Sequence, residues 1–277
     1  MQNGKVESKT ENGIAMISFF HPQSNSLPGE ILRKLANEIT SAGNNPEAKV
    51  IILRSESPTP SLPVREGAST ANPSRREGFR MGLTFCAGAS FDELISIKNF
   101  EEGKKFFSGF SFVINEIRKA PKFVIARVQG KAVGGGVGLA AAADYTLAVK
   151  DASVRLSELA LGIGPFVVGP AVERKVGASA FTALTINPGE WKSADWAREK
   201  GLYADILPSV EDLDKAVSEL AIKLSQSSSE AMAQLKKVMW EGTENWDTLL
   251  VERAEMSGRL VLSEYTKKYI EKFKSKS

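Results

Sequence analysis

The sequence predicts an α/β fold whose last third is helical, and three observations carry that reading. Short apolar runs of strand length recur at residues 14–20, 49–54, 123–128 and 145–149. Segments of helical period separate them, as in the run of Ile31, Leu32, Leu35 and Ile39. From residue 171 onward the chain is almost entirely of helical period. Strand–helix–strand order favours right-handed crossovers and a parallel sheet.

Taken in order, residues 14–20 lie between Gly13 and Pro22 and read as a strand, followed by a turn at 21–26 and a helix over 27–42. Residues 49–54 form a buried-type strand. Residues 57–81 break the pattern, with Pro58, Pro60, Pro63 and Pro73 and with Arg65, Arg75, Arg76 and Arg80 against Glu66 and Glu77. That composition predicts an inserted loop rather than a packed element. Order returns at Thr84. A single helix is expected over 92–119, stopped by Pro121, then a strand over 123–128 and a small-residue run over 130–143. Strands at 145–149 and 154–156 precede a Gly/Pro-punctuated loop at 162–170. Helices follow at 172–181, 193–200, 210–225, 229–241 and 245–273. The expected division is a core over 1–195, carrying the 57–81 insertion, and a helical region over 196–277.

Composition narrows the function. The 277 residues hold 36 basic and 33 acidic side chains, a net charge of +3, with no basic stripe interleaved with aromatics. That argues against a nucleic-acid partner and tolerates a small anionic ligand. No apolar run approaches the ~18–20 residues of a membrane span, and the N-terminal residues lack the apolar centre of a signal peptide. One cysteine, Cys86, leaves no intramolecular disulfide and no CxxC metal site, which suits a reducing cytoplasm. One histidine, His21, rules out a multi-His metal site. His21 reads as a turn residue and Cys86 as a small packed side chain.

Three segments carry chemistry. Gly134, Gly135 and Gly136 precede a small-residue helix, where backbone can approach a ligand and free N–H groups face negative charge. A tight turn with close helix packing explains the same residues. Gly136, Gly138 and Ala141 also match a dinucleotide fingerprint, but the strand at 145–149 leaves no room for a crossover helix before Glu158. Ala87, Gly88, Ala89 and Ser90 form a second exposed-amide segment, and two such segments could hold one oxyanion. Glu158 lies in apolar surroundings, where burial would raise its pKa and suit acid–base work. A helix-start acid capped by Ser157 is the alternative. The lysines at 267, 268, 272, 274 and 276 read as a solvated helix end that could also meet a phosphate.

The segments 85–89, 128–140, 156–165 and 193–202, in that order and spacing, resemble the crotonase superfamily, the enoyl-CoA hydratase/isomerase family. The resemblance covers nearly the whole chain apart from the 57–81 insertion. It implies a crotonase-like spiral of ββα units with a C-terminal helical trimerisation region, assembled as a homotrimer or dimer of trimers. It implies an acyl-CoA ligand, with coenzyme A part of the substrate and no separate cofactor or metal. The N–H groups of Ala89 and Gly135 would form the oxyanion hole, Glu158 would act as acid–base, and Ala87, Gly88, Gly134, Gly138 and Pro165 would line the substrate. Phe91, Leu94, Phe110 and Phe166 would line the acyl pocket, and Phe273 and Lys276 of a neighbouring subunit could meet the CoA phosphates.

The sequence departs from the two-glutamate hydratases of that family, because Gly138 stands where they carry the first glutamate and only Glu158 remains. The flanking residues look most like bacterial methylglutaconyl-CoA hydratases of leucine breakdown. Hydration of a short or branched enoyl-CoA is therefore expected. Δ3,Δ2-enoyl-CoA isomerisation through one glutamate, and an acyl-CoA binder that has lost activity, are the alternatives.

Overall fold

The computed structural model describes residues 4–56 and 83–274, with the backbone alone at residues 273 and 274. The 57–81 insertion, Lys276 and the Phe273 side chain therefore lie outside the described residues. Twelve strands and ten helices, with one 3-10 turn, are found among the described residues.

The main sheet is built from β1 (Lys5–Glu11), β2 (Ile14–Phe20), β4 (Val50–Ser55), β7 (Phe123–Val128), β9 (Tyr145–Val149) and β12 (Asp205–Leu207), paired in that order. All neighbours from β2 to β12 are parallel, and β1 is antiparallel to β2. Successive residues Val50, Ile51, Ile52 and Leu53 are all buried, as are Val124, Ile125 and Ala126. A parallel sheet covered on both faces demands such unbroken apolar runs, which is why these strands were legible. Helices α1 (Gly29–Asn44) and α7 (Val210–Ser225) pack on it. Arg127 of β7 holds α7 through a two-pronged ion pair with Asp214, at 2.7 and 3.0 Å.

A second sheet sets β5 (Thr84–Cys86), β8 (Lys131–Val133), β10 (Ser153–Arg155) and β11 (Lys192–Ser193) side by side, and β3 (Ser26–Leu27) pairs with β6 (Gly88–Ala89). The remaining helices are α2 (Phe91–Leu94), α3 (Phe100–Lys119), α4 (Gly135–Ala142), α5 (Gly169–Ile186), α6 (Ala194–Glu199), α8 (Ser229–Met239), α9 (Trp246–Leu260) and α10 (Glu264–Lys274).

Several expectations need correction. The helix expected over 92–119 is two helices, because the Ser90 side chain caps α2 and the Asn99 side chain caps α3, each accepting from a backbone N–H three residues on. The helix expected over 245–273 is likewise divided, with Ser263 Oγ accepting from Thr266 N at the start of α10. The run at 130–143 holds strand β8 before its helix. Strand β1 was not foreseen. It is an edge strand whose charged KVESKTE sequence leaves no residue fully buried, so no apolar signal marks it.

Asn25 is fully buried and fastens the chain on both sides of residues 57–82. Its Nδ2 donates to the carbonyls of Glu56 (2.9 Å) and Thr84 (3.0 Å), and its own carbonyl accepts from Ala87 N. Gln129 adds a 2.6 Å bond to Ser55 Oγ. The strand that leads into Ala87, Gly88 and Ala89 is thereby tied to the main sheet.

A buried ion pair locks α8 to the sheet. Asp144 accepts from Val124 N (2.7 Å), Trp240 Nε1 (2.8 Å) and Lys236 Nζ (2.8 Å), and Lys236 also donates to the carbonyls of Ile117 and Lys122. Lys236→Met removes one charge and strands the other in the interior. The expected cost is about 3–5 kcal/mol, read as a lowered urea midpoint; a change within about 0.5 kcal/mol, the size of an ordinary surface substitution, would contradict this account of the pair.

Candidate active site

The residues singled out from the sequence meet at one cavity of about 570 Å³. Strand β6 and the start of α4 form one wall, since a Cβ on Gly88 would stand 3.6 Å from Gly135 N. Ala87, Gly88, Ala89, Gly134, Gly135, Glu158 and Pro165 all line the space, as do Phe91, Leu94, Phe110 and Phe166. The strand pairing of β3 with β6 positions the Ala89 segment, and Ser26 Oγ donates to Ala89 O at 2.9 Å.

Gly134 and Gly135 are each required by geometry. Gly134 adopts φ +51° and ψ −113°, a region that L side chains avoid, and a Cβ there would lie 2.8 Å from Glu158 Oε1. A Cβ on Gly135 would lie 2.2–2.5 Å from three atoms of the Phe110 ring. As the first residue of α4, Gly135 has no carbonyl one turn earlier to receive its N–H. The dipole of α4 adds partial positive charge at the same place.

Glu158 begins the 3-10 turn Glu158–Leu161. Ser157 makes no side-chain cap bond there, so the capped helix-start reading does not describe this residue. The Glu158 side chain instead enters the cavity beside Gly134. Its Oε2 is buried with no hydrogen-bond partner among the described residues. Burial pushes the carboxyl up to about 7, while the backbone amides of Glu158 and Ser157 and the Arg155 charge pull the other way. A carboxyl poised near neutrality can take up and release a proton during one reaction cycle.

The turn is held from outside by α10. Thr266 Oγ1, fully buried, donates to Leu161 O at 2.8 Å, and Gly162 packs under Tyr265. Leu94, Phe106, Ile163 and Val261 form a small apolar cluster there, with Phe91, Leu161 and Ile270 against it. The walls are otherwise largely apolar, which lowers the local dielectric and strengthens electrostatic effects at the polar end.

Gly138 is the exception among the expected residues. It is buried in α4 and does not line the cavity. A Cβ there would meet Val168 Cγ1 at 2.5 Å, so Val168 fills the space where a side chain at this position would point. The Gly138→Glu variant is therefore expected to lose about 1–3 kcal/mol through overpacking and to gain no turnover. Adding Val168→Ala should recover part of that stability in urea unfolding, and failure to recover any would show that Val168 is not the obstacle.

The sequence reading missed three residues. Arg155 and Tyr269 line the cavity, and Trp191 stacks on Arg155 with its ring centroid 4.4 Å from the guanidinium carbon. Only the alternation of β10, with Val154 buried and Arg155 on the opposite face, could have hinted at Arg155. Cys86 behaves as expected of a packed side chain, fully buried with its thiol pushed up to about 12. No helix among the described residues is long and apolar enough to cross a membrane.

Comparison with known proteins gives the class. The sequence model described as Enoyl-CoA hydratase/isomerase matches residues 79–276. The chain belongs to the enoyl-CoA hydratase/isomerase family, and its fold is the crotonase fold. It is 26% identical over 265 residues to a Bacillus subtilis protein named "Probable enoyl-CoA hydratase", covering 95% of this chain and 93% of that one. It is 28% identical over 224 residues to human mitochondrial methylglutaconyl-CoA hydratase, covering 79% of this chain and 58% of that one. It is 25% identical over 245 residues to Xenopus tropicalis ethylmalonyl-CoA decarboxylase, covering 87% and 73%. Crystal structures of enoyl-CoA hydratases from Mycobacterium avium and Bacillus halodurans superpose with TM-scores of 0.79 and 0.78, at 22% and 21% identity. They cover 98% and 96% of this chain, and 96% and 98% of their own.

Proposed function

We propose that this protein hydrates a short or branched α,β-unsaturated acyl-CoA, in the manner of the methylglutaconyl-CoA hydratases among its relatives. The observation that carries the reading is the meeting of one near-neutral carboxyl, Glu158, with the Ala89 and Gly135 amide segments in one apolar cavity.

The thioester oxygen would sit between the N–H groups of Ala89 and Gly135. Ionised Glu158 takes a proton from water as the water oxygen bonds to C3, and the double-bond electrons move onto the thioester oxygen. The two amides stabilise that enolate, where one donor is worth about 10²–10³ in rate. The proton then passes from Glu158 to C2, restoring the carboxylate. One carboxyl thus serves both halves of the addition, and water supplies both the hydroxyl at C3 and the proton at C2. Coenzyme A belongs to the substrate. The family resemblance supports a homotrimer or dimer of trimers.

One observation favours a second reading. Among the described residues a single carboxylate lines the cavity, and one carboxylate suffices to move a proton between C2 and C4 in an isomerase. Incubation with crotonyl-CoA and 3-methylglutaconyl-CoA, followed by loss of enoyl-thioester absorbance, tests hydration. Loss that disappears in Glu158→Gln supports it. Turnover of 3-enoyl-CoA alone transfers the assignment to isomerisation, and binding without turnover on any substrate leaves an inactive acyl-CoA binder.

A further inference from the structure

Arg155 is the one cavity-lining cation among the described residues, and no carboxylate among them pairs with it. The guanidinium makes no ion pair or hydrogen bond among them, and its Nε is buried without an acceptor. A buried donor left unmatched is costly, and such groups in native structures call for a partner. Trp191 lies against the guanidinium at 4.4 Å, fixing its plane without neutralising it. Glu158, three residues on, feels the Arg155 charge but does not pair with it. The polar end of an otherwise apolar cavity thus offers a preorganised cation without an ion-pair partner among the described residues.

We propose that Arg155 is the specificity-determining contact for a second carboxylate, carried on the acyl chain of the substrate. Position selects the acyl chain over the CoA phosphates as the source of the anion. The Arg155 carbonyl accepts Gly134 N at 2.9 Å, which anchors its backbone beside the thioester-oxygen site, and its side chain lines the same cavity as Glu158. The planar fork of arginine matches a carboxylate with two parallel bonds. This assignment rests on the acyl-CoA reading of the cavity above, and it narrows the substrate class to enoyl thioesters of dicarboxylic acids.

The test compares crotonyl-CoA with glutaconyl-CoA, which differ only by a carboxylate on C4, in the wild type, Arg155→Met and Arg155→Lys. Loss of the Arg155 charge alters Glu158 for both substrates alike, so the ratio of their kcat/KM values isolates the contact. The wild type should favour glutaconyl-CoA by about 10–100-fold. Arg155→Met should collapse that preference chiefly through KM, and Arg155→Lys should retain part of it. A wild type without preference, or a Met variant that slows both substrates in proportion, overturns the proposal. Proportional loss would mean a contact with coenzyme A or a packing role on Trp191. Calorimetric binding of glutaryl-CoA and butyryl-CoA separates this from the reaction itself. Tighter, Arg155-dependent binding of glutaryl-CoA with no hydration of either enoyl-CoA would sustain the subsite and remove the hydratase reading. Hydration with equal binding of the two would remove the subsite alone.

Discussion

Glu158→Gln is expected to lower kcat by about 10²–10⁴-fold, the range for loss of a positioned acid–base group, while acyl-CoA binding persists. Glutamine keeps the shape beside Gly134 but neither accepts a proton from water nor returns one to C2. The same substitution has a signature in stability. The Glu158 carboxyl is raised from 4.5 to about 7 because its charged form is buried. Below pH 4.5 it is protonated in both folded and unfolded chains, and burial costs nothing extra. Between pH 4.5 and 7 the unfolded carboxyl is ionised while the folded one keeps its proton against desolvation, so the wild type loses stability across that window and the loss levels off above 7. At 1.36 kcal/mol per pKa unit the loss is about 3 kcal/mol by pH 8. Glu158→Gln should match the wild type near pH 4 and exceed it at pH 8 in urea unfolding. Wild-type kcat/KM, which needs the ionised form, should rise with pH and level off above about 7. A variant less stable at pH 8, or a rise centred near pH 4.5, would contradict the burial argument.

Gly135→Ala is expected to lower kcat/KM by about 10²–10³-fold, the cost of one oxyanion donor. The added methyl would collide with the Phe110 ring at 2.2–2.5 Å. Either the ring moves into the acyl space or the start of α4 shifts away from Ala89. Phe110→Leu in the same chain should relieve the collision and restore a substantial part of the rate. The double variant separates misplacement from unfolding, since a general folding defect at Gly135 would not be cured by trimming one ring. Recovery of the far-UV spectrum without recovery of rate would instead place the damage in the amide geometry itself.

Much of this was legible in the chain because burial writes itself into sequence. The runs at 14–20, 123–128 and 145–149 are strands with those very bounds, since parallel strands largely covered on both faces keep mostly apolar runs that end where Gly, Pro or charged residues begin. The cavity-lining glycines were legible because close approach and a left-handed φ permit little else. Elements without such a signature were not. β1 is an exposed edge, and β12 has three residues. The breaks at 95–99 and 261–263 depend on single capping side chains inside continuous helical periods. The displacement of Gly138 from the cavity depends on Val168, thirty residues away, and no local pattern records it. Arg155 was hidden for a similar reason, since its meaning comes from Trp191 and from having no acceptor among the described residues.

The central claim is that one carboxyl, Glu158, adds water across an enoyl thioester held by two amide segments. NMR of the products formed from crotonyl-CoA and glutaconyl-CoA in deuterium oxide tests it most directly, with wild type and Glu158→Gln run side by side. The account predicts a 3-hydroxyacyl-CoA with one deuterium at C2, formed by the wild type and not by the variant. A shifted double bond with no hydroxyl, or hydration that survives in Glu158→Gln, would contradict it.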